Sequence, residues 1–492
     1  MNILLLYPEF PDTFWSLKHA LKFIRKKAAS PPLGLLTVAA MLPSKWQKRL
    51  VDLNIGNVTD ADLKWADYAF ISAMMVQRES TLRLLRLCRS KGLKVVAGGP
   101  LFMDNPLDYE DVDHFVLNEG ELTLPGFLED LENGCAKRVY KSDEFADMKD
   151  TPVPMWELAE VNRYASMSVQ YSRGCPYNCD FCNITALFGH LPRTKTPEQI
   201  IAELDALYAL GWRRGIFFVD DNFIGNKRRL KEELLPELNR WRRDKPQITF
   251  NTEVSINLVD DAELMDMMVD AGFDKVFIGI ETPDESSLAE CNKKQNRNRN
   301  LVQDVKKIHR AGLEVQGGFI VGFDNDTPSI FQRQIDFIQK SGIMTAMVGL
   351  LQAPPGTKLY ARMEKEGRLT GRLEGDNVNG TTNIIPTMNP EQLFKGYKDI
   401  LEHIYSPEYY YKRLQTFLKD YKAPEINIPI KWGQIMAFVR SAVHLGILGK
   451  ERIYYWKLLI WTQFRRPRLV PLAITLAIYG HHFRKVYEQH II

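Results

Sequence analysis

The sequence predicts an α/β protein in which two strand–helix alternations precede a helical C-terminal region. Residues 1–140 alternate short apolar runs with helical stretches. A second alternation opens at 166 and repeats six times, at intervals of 30 to 45 residues. From about 390 helical patterns continue without strands between them. Alternating strands and helices build parallel sheets with both faces covered. The chain is 492 residues long, 45% hydrophobic and 25% charged, which excludes wholesale disorder and gives room for more than one core. No window reaches the roughly 18 uninterrupted apolar residues of a membrane span.

The first residues, MNILLLYPEFPD, lack the basic region and cleavage site of a signal peptide and read as a first buried strand, Ile3–Tyr7. Further strands are expected at Arg49–Leu53, Tyr68–Ser72, Lys94–Ala97 and His114–Leu117, with a helix at Glu79–Lys91. Gly98 and Gly99 directly follow an apolar strand, where open α/β sheets bind ligands outside their carboxyl ends, and where a plain tight turn is the alternative. The aromatic and basic stretch from Glu9 through Trp15 to Lys27 reads as a loop over a ligand or beside a channel. Residues 141–165 are polar and proline-containing, as in a linker.

In the second alternation the expected strands are Ser168–Tyr171, Gly215–Val219, Ile248–Asn251, Lys275–Ile280, Glu314–Val321 and Thr345–Leu351. Six units are too few for a closed eight-stranded barrel. Thr196-Pro-Glu-Gln199 supplies an N-cap, a proline at the first helical position and a capping box, with Gly211 at the far end. Asp260-Asp-Ala-Glu263 starts another helix, whose buried stripe reads Leu264, Met267, Met268 and Ala271. The last 62 residues, from Lys431, carry ten Lys/Arg against two acids, so the rest of the chain is net acidic. Tyr454–Trp461 followed by Arg465, Arg466 and Arg468 has the mixture of an interfacial helix, with a helical cap packing its apolar face on the preceding domain as the alternative, and Leu469–Tyr479 is too short to cross a bilayer.

Six cysteines stand at 88, 135, 175, 179, 182 and 291. Three lie within eight positions and three are scattered, which is a metal site in a reducing compartment rather than a disulfide framework. Cys175, Cys179 and Cys182 form C-x3-C-x2-C. Thiolates are soft ligands suited to iron–sulfur clusters, zinc or Cu(I). Structural zinc needs four protein ligands, yet the nearest histidine is His190 and no second cysteine pair exists. Three cysteines on a four-iron cluster leave one iron open to a small molecule.

The run Tyr171-Ser-Arg-Gly-Cys-Pro-Tyr-Asn-Cys-Asp-Phe-Cys182 closely resembles the signature of the radical S-adenosylmethionine superfamily, over roughly 165–360. The resemblance implies a partial (βα)6 barrel holding a [4Fe-4S] cluster on the three cysteines. The open iron would chelate S-adenosyl-L-methionine and cleave it to a 5′-deoxyadenosyl radical. By position, Phe181, Asp220, Asp221, Glu253, Glu281 and Gly322 match contacts to S-adenosylmethionine. An α/β domain placed before the barrel is similar to the cobalamin-binding subclass. There Ser72, Gly98, Gly99, Glu119 and Gly120 fall in its characteristic segments. The Asp-x-His-x-x-Gly signature of other cobalamin proteins is absent, so no histidine is nominated as a cobalt ligand.

The helical extension resembles that of hopanoid and bacteriochlorophyll side-chain methylases. The organisation implied is a Rossmann-like cobalamin-binding domain (1–140), a linker (141–165), the barrel (166–388) and a helical domain (389–492). The implied function is a cytoplasmic, cobalamin-dependent C-methyltransferase acting on an unactivated carbon of an apolar lipid, isoprenoid or tetrapyrrole. A low-potential donor such as flavodoxin or ferredoxin would supply electrons, the basic helices would touch the membrane surface, and no nucleic acid is involved. No catalytic acid or base is nominated. Ring closure or oxidative bond formation with the same cofactors stays open, as does a non-catalytic redox or cobalamin sensor. A methylthiotransferase is excluded, because only Cys88 and Cys135 precede the motif and a second cluster needs three cysteines.

Overall fold

The computed structural model describes residues 1–371, 373–376, 379–422 and 432–490; Lys431, the first cation of the basic tail, lies outside the described residues. The first sheet contains β1 (Asn2–Tyr7), β2 (Gln47–Asp52), β3 (Tyr68–Ser72), β4 (Lys94–Gly98), β5 (His114–Val116) and the short β6 (Val139–Tyr140). Their order is β2-β1-β3-β4-β5-β6, every neighbour parallel. All carboxyl ends therefore share one edge. The chain reverses its winding between β1 and β3. Helices Leu33–Met41 and Gly120–Glu132 cover one face through Leu35, Ala39, Leu124 and Phe127. Helix Arg78–Ser90 covers the other through Leu84, Leu85 and Cys88.

The second part begins with β7 (Met167–Val169) and an antiparallel hairpin, β8 (Ser172–Arg173) with β9 (Arg193–Thr194). It continues through β10 (Ile216–Phe218), β11 (Phe250–Glu253), β12 (Phe273–Glu281), β13 (Glu314–Val321) and β14 (Ala346–Leu350). The sheet order β14-β13-β12-β11-β10-β7 is parallel throughout, the open six-stranded arc the spacing predicts. Tyr171, expected to end its first strand, has instead left the sheet to start the hairpin. Along β12 the residues alternate: Val276, Ile278 and Ile280 are buried under the helices, while Lys275, Phe277 and Gly279 face the concave side and are less covered.

Local signals explain the helix boundaries. Thr196 caps Pro197–Ala209, its hydroxyl accepting from Gln199 N at 3.3 Å while Gln199 Oε1 accepts from Thr196 N at 3.0 Å. Asp261 rather than Asp260 caps Ala262–Ala271. In that helix Met265 joins the expected Leu264, Met268 and Ala271 in the buried stripe, while Met267 packs at its edge and is only partly buried.

The C-terminal region forms helices Pro390–Tyr405, Pro407–Asp420, Trp432–His444, Arg452–Arg465 and Val470–His490. The apolar run Leu469–Tyr479 is largely core, with Ala473, Leu476 and Ala477 buried. No described helix is long and apolar enough to cross a membrane. The segment expected as a loop, 9–27, contains short helical turns tied to these C-terminal helices. Phe14 packs on Tyr405 and Phe483, each with ring centroids 5.6 Å away, and its carbonyl meets His482 Nε2 at 3.0 Å.

Candidate active site

The three motif cysteines sit on the loop between β8 and β9, at the carboxyl end of the arc. Cys179 is buried, and Cys175 and Cys182 are half-buried. Backbone contacts fix the loop: Asp180 N donates to Cys291 O at 3.0 Å, and Leu359 N to Asp180 O at 2.8 Å. Asn292 Nδ2 donates to Asn178 O at 2.8 Å. Asn222 and Gln295 amides point at the sulfurs of Cys175 and Cys179, 3.9 and 3.7 Å away. Burial pushes the Cys175 thiol up, and the Cys182 thiol up to about 12.

Among the described residues no three His, Cys, Asp or Glu side chains converge on a single ion. The donor set is three soft thiols separated along one loop. That suits a group giving each thiolate its own iron better than one tetrahedral ion.

The carboxylates expected near this loop divide into two sets. Asp220 is buried and occupied, accepting from Tyr171 N at 3.1 Å, Ser172 Oγ at 2.5 Å and Ser172 N. It holds the entry to the cysteine loop. Asp221, next to it, has a buried Oδ2 without a partner. Glu253, at the end of β11, has no hydrogen-bond or ion-pair partner among the described residues. Burial raises Asp220 to about 7 and Asp221 to about 6; burial, then Asp221 and Asp220, raises Glu253 to about 8. Asp221 and Glu253 are thus neighbouring carboxyls whose ionised forms burial disfavours and a nearby positive charge would favour.

Glu281 ends β12 in a left-handed conformation, φ +63°, and pairs with Lys293 at 2.6 Å. Burial opposes the Lys293 charge, but Glu281 and the thiols of Cys179 and Cys182 outweigh it and the net shift is upward. Gly279 leaves room for this pair, since a Cβ there would lie 2.8 Å from Lys293 Nζ. Phe181 packs edge-on against Phe323 at 6.4 Å, beside Gly322 at φ +103°.

The residues expected in the first sheet also converge. Ser72, Gly98, Gly99, Glu119 and Gly120 all line one cavity of about 340 Å³ at the carboxyl ends of β3, β4 and β5. Gln170, Arg173, Lys195 and Val219 of the second part close its other side. The cavity therefore borders the cysteine hairpin. Gly99 lies at φ +89°, where a Cβ would sit 2.8 Å from Ala73 O, so the turn demands glycine.

Glu119 has a second task. Its buried carboxylate accepts from Arg193 Nη1 at 2.8 Å, Arg173 Nη1 at 3.3 Å and Ala146 N at 2.9 Å. Glu121 accepts from Arg173 Nη2 at 2.9 Å. Arg173 and Arg193 belong to β8 and β9, so two acids at the start of helix Gly120–Glu132, just after β5, grip both legs of the hairpin that carries the cysteines. Sequence reading missed Arg173, Arg193, Lys293, Asn222 and Gln295. Only Arg173 carried a signal, as part of the motif; the others depend on tertiary placement.

The arrangement of an open parallel arc, a three-thiol loop at its carboxyl end and paired carboxylates beside it defines a radical S-adenosylmethionine fold. The family model of the radical SAM superfamily matches residues 169–338, and that of a domain of unknown function, DUF4070, matches 357–491. An uncharacterised methyltransferase of Synechocystis sp. is 41% identical, covering 100% of this chain and 93% of that one. Hopanoid C-2 methylase of Rhodopseudomonas palustris is 35% identical, covering 98% and 92%. The solved structure of the cobalamin-dependent S-adenosylmethionine radical enzyme OxsB, with aqua-cobalamin bound, has a TM-score of 0.64 at 15% identity, covering 100% and 84%. The chain belongs to the radical S-adenosylmethionine superfamily, in the methyltransferase family of these whole-length relatives.

Proposed function

We propose that this methyltransferase uses a [4Fe-4S] cluster, two equivalents of S-adenosylmethionine and cobalamin to methylate an unactivated carbon of an apolar substrate, an isoprenoid lipid before a tetrapyrrole. The observation that carries the reading is the shared position of the two sites: the glycine-lined cavity at the carboxyl edge of the first sheet abuts the hairpin bearing the cysteines. When bound, the cluster supplies the electron that splits S-adenosylmethionine, and cobalamin carries the methyl group. Cys175, Cys179 and Cys182 hold the cluster. Asp221 and Glu253 accept from the ammonium and ribose groups of S-adenosylmethionine, while Asp220 holds the loop that presents it. Phe181 and Gly322 flank the adenine side, and Glu281 acts through Lys293. Ser72, Gly98, Gly99 and Gly120 shape the cobalamin cavity and Glu119 ties it to the hairpin. The domain limits 1–140, 141–165, 166–388 and 389–492 follow from that division of labour. The whole-chain likeness to hopanoid C-2 methylase, helical extension included, favours the isoprenoid class.

The enzyme works in the cytoplasm with a flavodoxin- or ferredoxin-type donor, its C-terminal helices against the inner face of the membrane. The test is anaerobic reconstitution with iron, sulfide and hydroxocobalamin, followed by metal and corrin counting. The reading expects about four irons and one cobalt per chain, with C175S, C179S and C182S each losing iron and keeping cobalt. Retention of cobalt-free protein by wild type would remove cobalamin from the account.

A further inference from the structure

Helices Trp432–His444 and Arg452–Arg465 form a hairpin whose outward side is apolar. On the first helix Ile435, Val439 and Val443 are exposed, at spacings of four residues. On the second, Ile453, Trp456, Ile460 and Phe464 repeat the pattern, Ile460 at 57% and Phe464 at 83% exposure. These stripes are the reverse of what a solvated helix carries. The connecting loop adds Ile447 and Leu448, 62% and 70% exposed. The two helices are pinned together: Ser441 Oγ and Tyr455 OH lie 2.7 Å apart in the interior, and Trp456, at the edge of the exposed stripe, donates its Nε1 to Gly446 O at 3.0 Å. Among the described residues nothing covers the outward stripes.

The hairpin's own exposed charges are cationic, and Lys450 at its turn lies 3.9 Å from Glu488 of the last helix. Lys450, Arg452, Lys457, Arg465 and Arg468 are exposed. Between Trp432 and Arg468 the sole acid is Glu451, which is buried and paired with Arg484. Among the described residues Arg452, Lys457, Arg465 and Arg468 have no acidic partner. The N-terminal turn beside this hairpin, held by Arg440 Nη1 on Phe23 O at 2.5 Å, adds exposed Ile24 and Arg25.

We infer that this hairpin is a docking surface for an anionic lipid bilayer, inserting Ile460, Phe464, Ile447 and Leu448 into the acyl boundary while the cations meet lipid phosphates. The inference deepens the surface-contact reading above by assigning it to particular residues and a lipid charge; it is independent of the reaction. The same N-terminal segment places Trp15 on Phe277 of β12, ring centroids 5.3 Å apart, so the docking side and the concave wall of the arc are joined by one short stretch of chain.

The test is flotation of the full chain with vesicles of phosphatidylcholine alone or with phosphatidylglycerol added, alongside its mass in solution by light scattering. Wild type should float with the anionic vesicles and release at high salt. The exposed double variant I460S/F464S should bind at least about ten-fold more weakly, and R452Q/K457Q/R465Q roughly five-fold more weakly per lost cation. Both variants should keep wild-type iron content after reconstitution, which separates this inference from the cofactor assignment. No flotation of wild type, or equal flotation of the variants, overturns it. So does a wild-type dimer that I460S/F464S converts to monomer without change in lipid binding, which would make the stripe a contact between copies.

Discussion

Removing the Glu119 carboxylate should loosen the cysteine hairpin from the first sheet. Glu119 is 2% exposed, and its partners Arg173 and Arg193 are 12% and 19% exposed, so solvent screens these contacts little. Breaking one side of such a buried pair costs about 3–5 kcal/mol. The Ala146 amide, which also loses its acceptor, adds to the cost. The partial exposure of Arg193 argues for the low end, so E119A should lose about 3 kcal/mol. With a urea dependence of about 1–3 kcal/mol per molar, the midpoint of the affected transition should fall by about one to three molar. Equilibrium urea unfolding followed by tryptophan fluorescence measures this. The cycle E119A, R193A and the double variant should return a coupling of about 1–3 kcal/mol. A midpoint shift under about 0.2 M, or a coupling near zero, would refute the clasp as a structural joint.

Gly99→Ala should cost about 1–3 kcal/mol and weaken corrin retention, because the positive φ and the approach to Ala73 O both oppose a side chain. Gly126→Ala, in a helix with nothing within 4 Å of the new methyl, should stabilise by up to about 1 kcal/mol, and melting curves compare the two. Glu253 holds its proton up to about 8 when folded, so the folded state binds more protons than the unfolded chain between about pH 4.5 and 8. Stability of the cofactor-free chain should therefore fall as pH rises through that window, and E253Q should flatten the fall. Glu121 has the opposite sign. Burial works against its charge, but Arg173 prevails and holds its carboxyl below the usual range. Its contribution is present above about pH 4.5 and is lost as pH drops below the ordinary value, a loss E121Q should not show.

The sheets were legible because their strands are apolar runs of ordinary length separated by capped helices. Tyr68–Ser72 and Glu314–Val321 match residue for residue. The cysteine motif was legible because soft-ligand spacing is local in sequence. The division of labour among the acids was not. Asp220 and Asp221 are adjacent letters, yet one is spent on the Tyr171–Ser172 backbone and the other has a free buried oxygen. Glu119 fell in an expected ligand segment, but its partners lie 54 and 74 residues away. The segment from Glu9 to Lys27 read as a loop because nothing local reveals that Phe14 is anchored by Phe483 and His482 at the opposite end of the chain.

The central claim, radical methyl transfer at the junction of the cysteine hairpin and the glycine-lined cavity, is tested most directly by its co-products. Reconstituted enzyme with S-adenosylmethionine, a low-potential reductant and an isoprenoid lipid extract should yield 5′-deoxyadenosine and S-adenosylhomocysteine together, with a methylated lipid 14 mass units heavier by arithmetic of one added CH₂ (about 14 Da). C182S should yield none of the three. S-adenosylhomocysteine and methylated lipid formed undiminished by C182S would contradict the account, as would 5′-deoxyadenosine without any methyl transfer in the presence of the extract.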